Sequence, residues 1–341
     1  MHDSTTLPRH VPMSVAFRGG HPENVHYGSL AVVNAQGELL ASVGDVETPV
    51  FTRSALKPFQ AMPLMARAAE HYGLDDADMA LLCASHNGEP MHVQRVAALL
   101  AKIGAGESAL ACGSHVPFFY SATAQTPEPG ARFSRLHHNC SGKHTGMLLL
   151  AHALDQPLQG YLDTTHPVQQ AIAQSVSHFS GVPVNELVRG TDGCSAPNYA
   201  LPLRGLAHGF ARLTLTEPDA VYGQAPHRVA RAMSRHPELV SGQGRNDLTL
   251  MRAGRDDWVS KVGADGVQAL ASFSRGIGVA AKVSDGQLPA LMVAFVSALD
   301  QLGWLDAQSR AALSELVPPP LKNAAGIEVG EMRAVLALKP A

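Results

Sequence analysis

The sequence predicts a mixed α/β (α+β) fold in which one antiparallel sheet is built from both termini and packs against a helical middle. Three observations carry this. Alternating and β-branched apolar runs fall at about 11–50 and again at about 258–338, while the stretch at about 54–257 reads mainly as Ala- and Leu-rich helices. No composition break marks a flexible linker, so residues 1–341 are expected to form a single unit of two lobes. With 45% hydrophobic residues, a chain of this length can bury a large core.

In order, strands are expected at 11–17, 25–33 and 38–43, the last two joined by the turn Asn34-Ala35-Gln36-Gly37. A helix follows over 54–72, kinked by Pro63 and ended at Gly73. Helical spacing recurs at 75–82, 91–103 and 142–154, and the Pro-, Ser- and aromatic-rich segment 113–129 is a loop long enough to cover a site. Further helices are expected at 168–178, 197–212 and 227–235. Strands at 259–262, 267–273 and 277–283, helices at 287–302 and 307–316, and a strand at 332–338 complete the chain.

Composition narrows the function. A net charge of −3 without long basic or acidic runs argues against nucleic acid or an anionic membrane as partner and leaves a small-molecule substrate. The longest apolar run, 290–299, is about half of the ~20 residues a membrane span needs. Residues 1–6 lack a basic patch followed by an apolar stretch, so no secretory signal is read and a cytoplasmic location is expected. The four cysteines (Cys83, Cys112, Cys140, Cys194) form no Cys-x-x-Cys pair and are expected to be reduced thiols.

The chemistry centres on Thr52-Arg53-Ser54-Ala55-Leu56-Lys57-Pro58. Three residues apart at a helix start, Ser54 and Lys57 are expected on one face as nucleophile and base. Alone, Ser-x-x-Lys is a short motif that recurs by chance, and a lysine there is usually solvated. It is followed by Ser85-His86-Asn87 and Lys261-Val262-Gly263, and the order Ser-x-x-Lys, Ser-x-Asn, Lys-x-Gly resembles the three-part signature of serine β-lactamases and penicillin-binding proteins. In that scheme Ser85 passes a proton to the leaving nitrogen, and Lys261 adds positive charge near the substrate carboxylate and developing oxyanion. Only seven residues are lysine against nineteen arginine, so lysines inside motifs weigh more than surface filler.

Two further stretches are candidates. His137-His138-Asn139-Cys140-Ser141-Gly142-Lys143-His144 leads into an apolar helix and reads either as a ligand-binding junction or as a helix N-cap by Asn139 or Ser141 with Cys140 buried. Gly190-Thr191-Asp192-Gly193-Cys194-Ser195 is a Gly-rich turn expected to lead into a helix. Its Asp192 can pair with a substrate ammonium group or bond its own backbone.

Together, Arg53-Ser54-Ala55-Leu56-Lys57-Pro58, Cys83-Ala84-Ser85-His86-Asn87-Gly88-Glu89, Asn139-Cys140-Ser141-Gly142-Lys143-His144 and Thr191-Asp192-Gly193-Cys194-Ser195 closely resemble the rhizobial-type L-asparaginases, the asparaginase II family. The resemblance implies a β-lactamase-like fold related to glutaminases, a homodimer, and hydrolysis of L-asparagine to L-aspartate and ammonia. It implies two catalytic pairs, Ser54 with Lys57 and Ser85 with Lys261, and substrate contacts from Arg53, Asn87, His144 and Asp192. It also implies zinc held by Cys140, Lys143 and Cys194. Two other classes stay open: a non-catalytic amino-acid or metal-binding protein, and a β-lactamase- or glutaminase-like serine hydrolase.

Overall fold

The computed structural model describes residues 7–341; the amino-terminal hexapeptide, from which the lack of a secretory signal is read, lies outside the described residues. From the amino-terminal part come β1 (Val11–Arg18), β2 (His21–Asn34) and β3 (Leu39–Val43). Strands β4 (Val50–Phe51), β5 (Val188–Thr191) and β6 (Pro197–Leu201) form a small sheet in the order β4-β6-β5. The carboxy-terminal part supplies β7 (Trp258–Gly263), β8 (Val267–Ser272), β9 (Ile277–Val283), β10 (Leu321–Lys322), β11 (Glu328–Ala334) and β12 (Lys339–Pro340). The main sheet runs β10-β11-β1-β2-β9-β8-β7, with β3 also paired to β2 and β12 to β3.

The two termini meet in β2, whose length lets its first half pair with β1 (Val15 opposite Val25) and its second half with β9 (Leu30 opposite Ala281), all antiparallel. This is the sheet built from both termini that the sequence predicts.

Alternation decides what each strand covers. Along β2, Leu30 and Val32 join one core with Phe295 and Leu299, while Ala31 and Val33 join a second core with Phe59 and Phe210. Burial on both faces explains why these strands read as apolar runs and not as a clean apolar-polar alternation.

Between the two strand groups lie α1 (Lys57–Ala68), α2 (Asp76–Leu82), α3 (Pro90–Ala101), α4 (Phe118–Ala122), α5 (Ser141–Ala153), α6 (Pro167–Ser180), α7 (Leu203–Leu213), α8 (Ala225–Arg235), α9 (Pro237–Val240) and α10 (Asn246–Ala253). Helices α11 (Leu288–Gln301) and α12 (Ala307–Leu313) follow, and α11 covers the outer face of the sheet. Helix α1 is anchored by Phe59, stacked on Phe179 of α6 at 5.1 Å and set edge-on to Phe210 of α7 at 5.6 Å. Among the described residues, no helix is long and apolar enough to cross a membrane.

Several expectations need correction. The helix predicted over 197–212 is two elements: Pro197–Leu201 forms β6, buried between β4 and β5, and the helix begins only at Leu203, after Pro202. A short buried apolar run satisfies either period, and the strand partners decide. The turn at 190–195 therefore leads into a strand. The loop 113–129 contains α4, the last predicted strand sits at 328–334, and α9 and α10 are unpredicted. Neither Asn139 nor Ser141 caps α5: Cys140 stands at that position without a side-chain capping bond, and Ser141 Oγ donates to the Leu136 carbonyl instead.

Candidate active site

The turn that carries Ser54 is 3-10 over Arg53–Leu56, and the α-helix starts at Lys57. Arg53 is held in the left-handed region (φ 52°), which a non-glycine residue keeps only when its surroundings impose it. Its guanidinium donates to Asp192 Oδ1 at 2.8 Å and to Asp265. Side chains three apart across a 3-10 turn eclipse one another, so this geometry keeps Ser54 and Lys57 on one side of the chain. Ser54 is half-buried at the wall of a cavity, whereas Lys57 is buried beneath it.

Lys57 Nζ donates to the Ala84 carbonyl at 2.5 Å, Ser85 Oγ at 2.9 Å and Cys140 Sγ at 3.2 Å. The lysine of the first motif thus bonds the serine of the second, so Ser54, Lys57 and Ser85 are adjoining parts of one site. Ser85 is held there by its backbone, as its N–H donates to Val240 and that of His86 to Asn139. Gly88 (φ 75°) then turns the chain where an added Cβ would meet the His137 carbonyl at 2.7 Å.

Lys261 lies on β7 on the same face as Val259, fully buried, and its partners are Asp247 Oδ2 at 3.3 Å and the Val262 carbonyl at 3.0 Å, not Ser85. Asp247 also accepts from Ser260, Gln268 and the Val262 N–H. Burial pulls the Lys261 amine down to about 8, Lys57 and Arg245 add to the fall, and Asp247 opposes it. Gly263, last residue of the Lys-x-Gly motif, is required by close approach: a Cβ there would meet the Thr52 carbonyl at 2.3 Å, in the turn just before Ser54.

The thiol stretches converge beside this. Lys143 Nζ lies 2.9 Å from Cys194 Sγ, and Cys140, Cys194 and Lys143 are all buried. A hydrogen bond from Cys194 and the charges of Lys57 and Lys143 outweigh burial and hold the Cys140 thiol well below its ordinary range. The same bond pushes Cys194 up, with burial adding to it. Burial alone would lower Lys143, but Cys194, Cys140 and Asp192 raise it. Asp192 accepts from both Arg53 and the Gly193 N–H, so its self-bonding turn and its cavity position coexist.

The cavity, about 410 Å³, is lined by Arg53, Ser54, Ser85, Cys140, Asp192 and Cys194 among the expected residues. Asn87 and His144 are not on its wall: both are fully buried, Asn87 accepts from Arg245, and His144 Nδ1 lies 2.6 Å from the Tyr161 hydroxyl. Arg245, Asp247, His115 and Phe118 were not anticipated, and His115 and Phe118 come from the predicted covering loop. The legible signal for Asp247 was its partners: Ser260 and Gln268 are polar residues inside buried strands, which need bonding groups nearby.

Hydroxyls and a paired carboxylate on the wall of one cavity, with buried lysines behind it, equip a hydrolase. The sequence model of the L-asparaginase II family matches residues 15–334, and the chain belongs to that family, an asparaginase of the amidohydrolase class. No curated protein matches it. Among solved structures, it is similar to a β-lactamase from Mycobacterium bovis (17% identity, 85% of this chain and 95% of that one, TM-score 0.42). It is also similar to Mglu in its native form (14%, 82% and 66%, TM-score 0.44) and to a putative β-lactamase from Bacteroides dorei (15%, 80% and 93%, TM-score 0.40). The chain spans about 66% of the length of Mglu.

Proposed function

We propose that this asparaginase cleaves L-asparagine through a seryl acyl-enzyme, with Ser54 as nucleophile. The observation that carries the reading is the convergence of Ser54 and Ser85 on one cavity, with Lys57 bonded to Ser85 behind it. Ser54 Oγ attacks the side-chain amide carbon, and the tetrahedral adduct collapses to an aspartyl ester as ammonia leaves with a proton delivered through Ser85. Water then cleaves the ester, releasing L-aspartate and restoring the serine. The leaving nitrogen takes its proton through Ser85 from the Lys57 ammonium that donates to it, and Lys261, the amine brought near neutrality by burial and by the charge on Lys57, takes the proton that Ser54 Oγ gives up on attack.

A second assignment has its own support: the 2.9 Å bond makes Lys57 the immediate partner of Ser85, which would then be the nucleophile. Acid quenching during turnover followed by peptide mass mapping separates them. An aspartyl adduct on the Ser54 peptide is the expected result, and one on the Ser85 peptide reverses the two roles.

A lysine that must be neutral to accept a proton makes activity rise with pH. Below its pKa Lys261 is protonated and the path is blocked; above it the path is open. The expected kcat/KM rises through about pH 8 to an alkaline plateau. A profile flat from about pH 6 to about pH 10 would remove Lys261 from the proton path.

Among the described residues, no group of three His, Cys, Asp or Glu side chains is arranged to hold an ion. Two thiols and an amine nevertheless converge, and the Cys140 thiol is held well below its ordinary range, so the donor chemistry fits a borderline ion such as zinc. Cys140, Cys194 and Lys143 would hold it, Lys143 and Cys194 giving up protons on binding. A bound zinc would supply positive charge for orienting the substrate. Metal analysis of the purified protein should find zinc in the wild type and its loss in Cys140→Ala and Cys194→Ala, with KM raised. Zinc absent from the wild type removes the site.

A further inference from the structure

Of the two arginines on the cavity wall, Arg245 is the one without a carboxylate partner among the described residues. Arg53 is paired with Asp192 and Asp265, Lys261 is paired with Asp247, and Lys57 and Lys143 lie against sulfurs. Arg245 stands on the cavity wall, and among the described residues it makes no ion pair. Its guanidinium spends one donor on Asn87 Oδ1 at 3.1 Å and lies 5.1 Å from the centre of the Phe118 ring.

The fork is also held in place. Asn87 is anchored by donating to the Gln243 carbonyl at 2.8 Å and to Glu89 at 3.1 Å, so its oxygen faces Arg245 as a fixed acceptor. A guanidinium carries five donors in a plane that matches a carboxylate, and most of them are unspent here. Burial lowers its pKa, with only the already engaged Asp247 opposing, so the group is partly desolvated without full compensation. An anionic ligand would remove that cost. On the same wall, Asp192 and Asp265 supply the opposite sign.

We propose that Arg245, oriented by Asn87, binds the α-carboxylate of the substrate, so that the cavity selects an α-amino-acid zwitterion. The assignment rests on reading this cavity as the asparagine site. It also gives Asn87 a role that its buried position otherwise hides: positioning the arginine and not touching the substrate.

The test compares kcat/KM for L-asparagine and for its α-amide, which keeps the scissile amide and the ammonium but has no carboxylate, in wild type, Arg245→Gln and Arg245→Lys. In the wild type the carboxylate should favour asparagine by about 10- to 100-fold, the range of a charge-assisted bidentate contact. Arg245→Gln should lose that factor on asparagine, mainly in KM, and change less than about threefold on the α-amide. Arg245→Lys should fall between them, because it keeps the charge and loses the fork. Equal losses on both substrates would make Arg245 structural and overturn the proposal. So would equal use of the two substrates by the wild-type enzyme, a result that needs no variant to fold. A wild type that releases no ammonia from asparagine sinks the functional reading itself, whereas an active wild type with an unaffected Arg245→Gln sinks only this assignment.

Discussion

Ser54→Ala is expected to lower ammonia release from L-asparagine by on the order of 10³-fold or more, while leaving the thermal midpoint nearly unchanged. The first part follows from chemistry: without the hydroxyl no ester can form, and the remaining groups can only bind and polarise the substrate. The second follows from position. Ser54 is half-buried at the cavity wall, and the turn is held by Arg53 to Asp192, by the Ala55 N–H to Thr52 and by the Lys57 N–H to the Ser54 carbonyl, a backbone bond that alanine keeps. Lys57→Met differs in this respect. Its amine holds the Ala84 carbonyl, Ser85 and Cys140, so the change should cost stability together with activity. Turnover and thermal melts on both variants are the check. Near-wild-type turnover by Ser54→Ala would end the proposed mechanism.

Asp247→Asn is expected to destabilise the protein by about 3–5 kcal/mol, because it removes one partner of a fully buried ion pair and turns an amide donor toward Lys261 and the Val262 N–H. The loss should depend on pH. Near neutrality wild-type Lys261 is charged and Asp247 compensates it; once pH passes about 8 the amine is neutral in both proteins and the difference narrows. Because the carboxylate opposes the downward pull on Lys261, its removal should also move the acid limb of the activity profile to lower pH. Urea unfolding on either side of that pH, with pH-rate profiles, measures both effects. A stability gap that is constant across the range would show that the Asp247 bonds to Ser260 and Gln268, and not its charge, dominate.

Local patterns made much of this architecture legible before any contact was known. Strand β9 was read at its observed bounds, β7, β8 and α11 within a residue at each end, and the pairing of termini followed from where the strands fall. These depend on period and turn chemistry within a few residues, which a sequence displays directly. The four motif stretches likewise brought Arg53, Ser54, Ser85, Cys140, Asp192 and Cys194 to one cavity, and Lys57 and Lys143 to just behind it. Partner choice was decided elsewhere. That Pro197–Leu201 is a strand depends on β4 and β5, the latter only six residues upstream of β6 and the former almost 150 away. That Lys57 bonds Ser85 depends on a contact across 28 positions of chain. Lys261 finds Asp247 because α10 packs on β7, and among the described residues Arg245 makes no ion pair, the acids on its cavity wall being engaged by Arg53. Hydrogen-bond competition and burial are properties of three-dimensional neighbourhoods, so the sequence alone named the reactive groups, and the tertiary structure decided which of them meet.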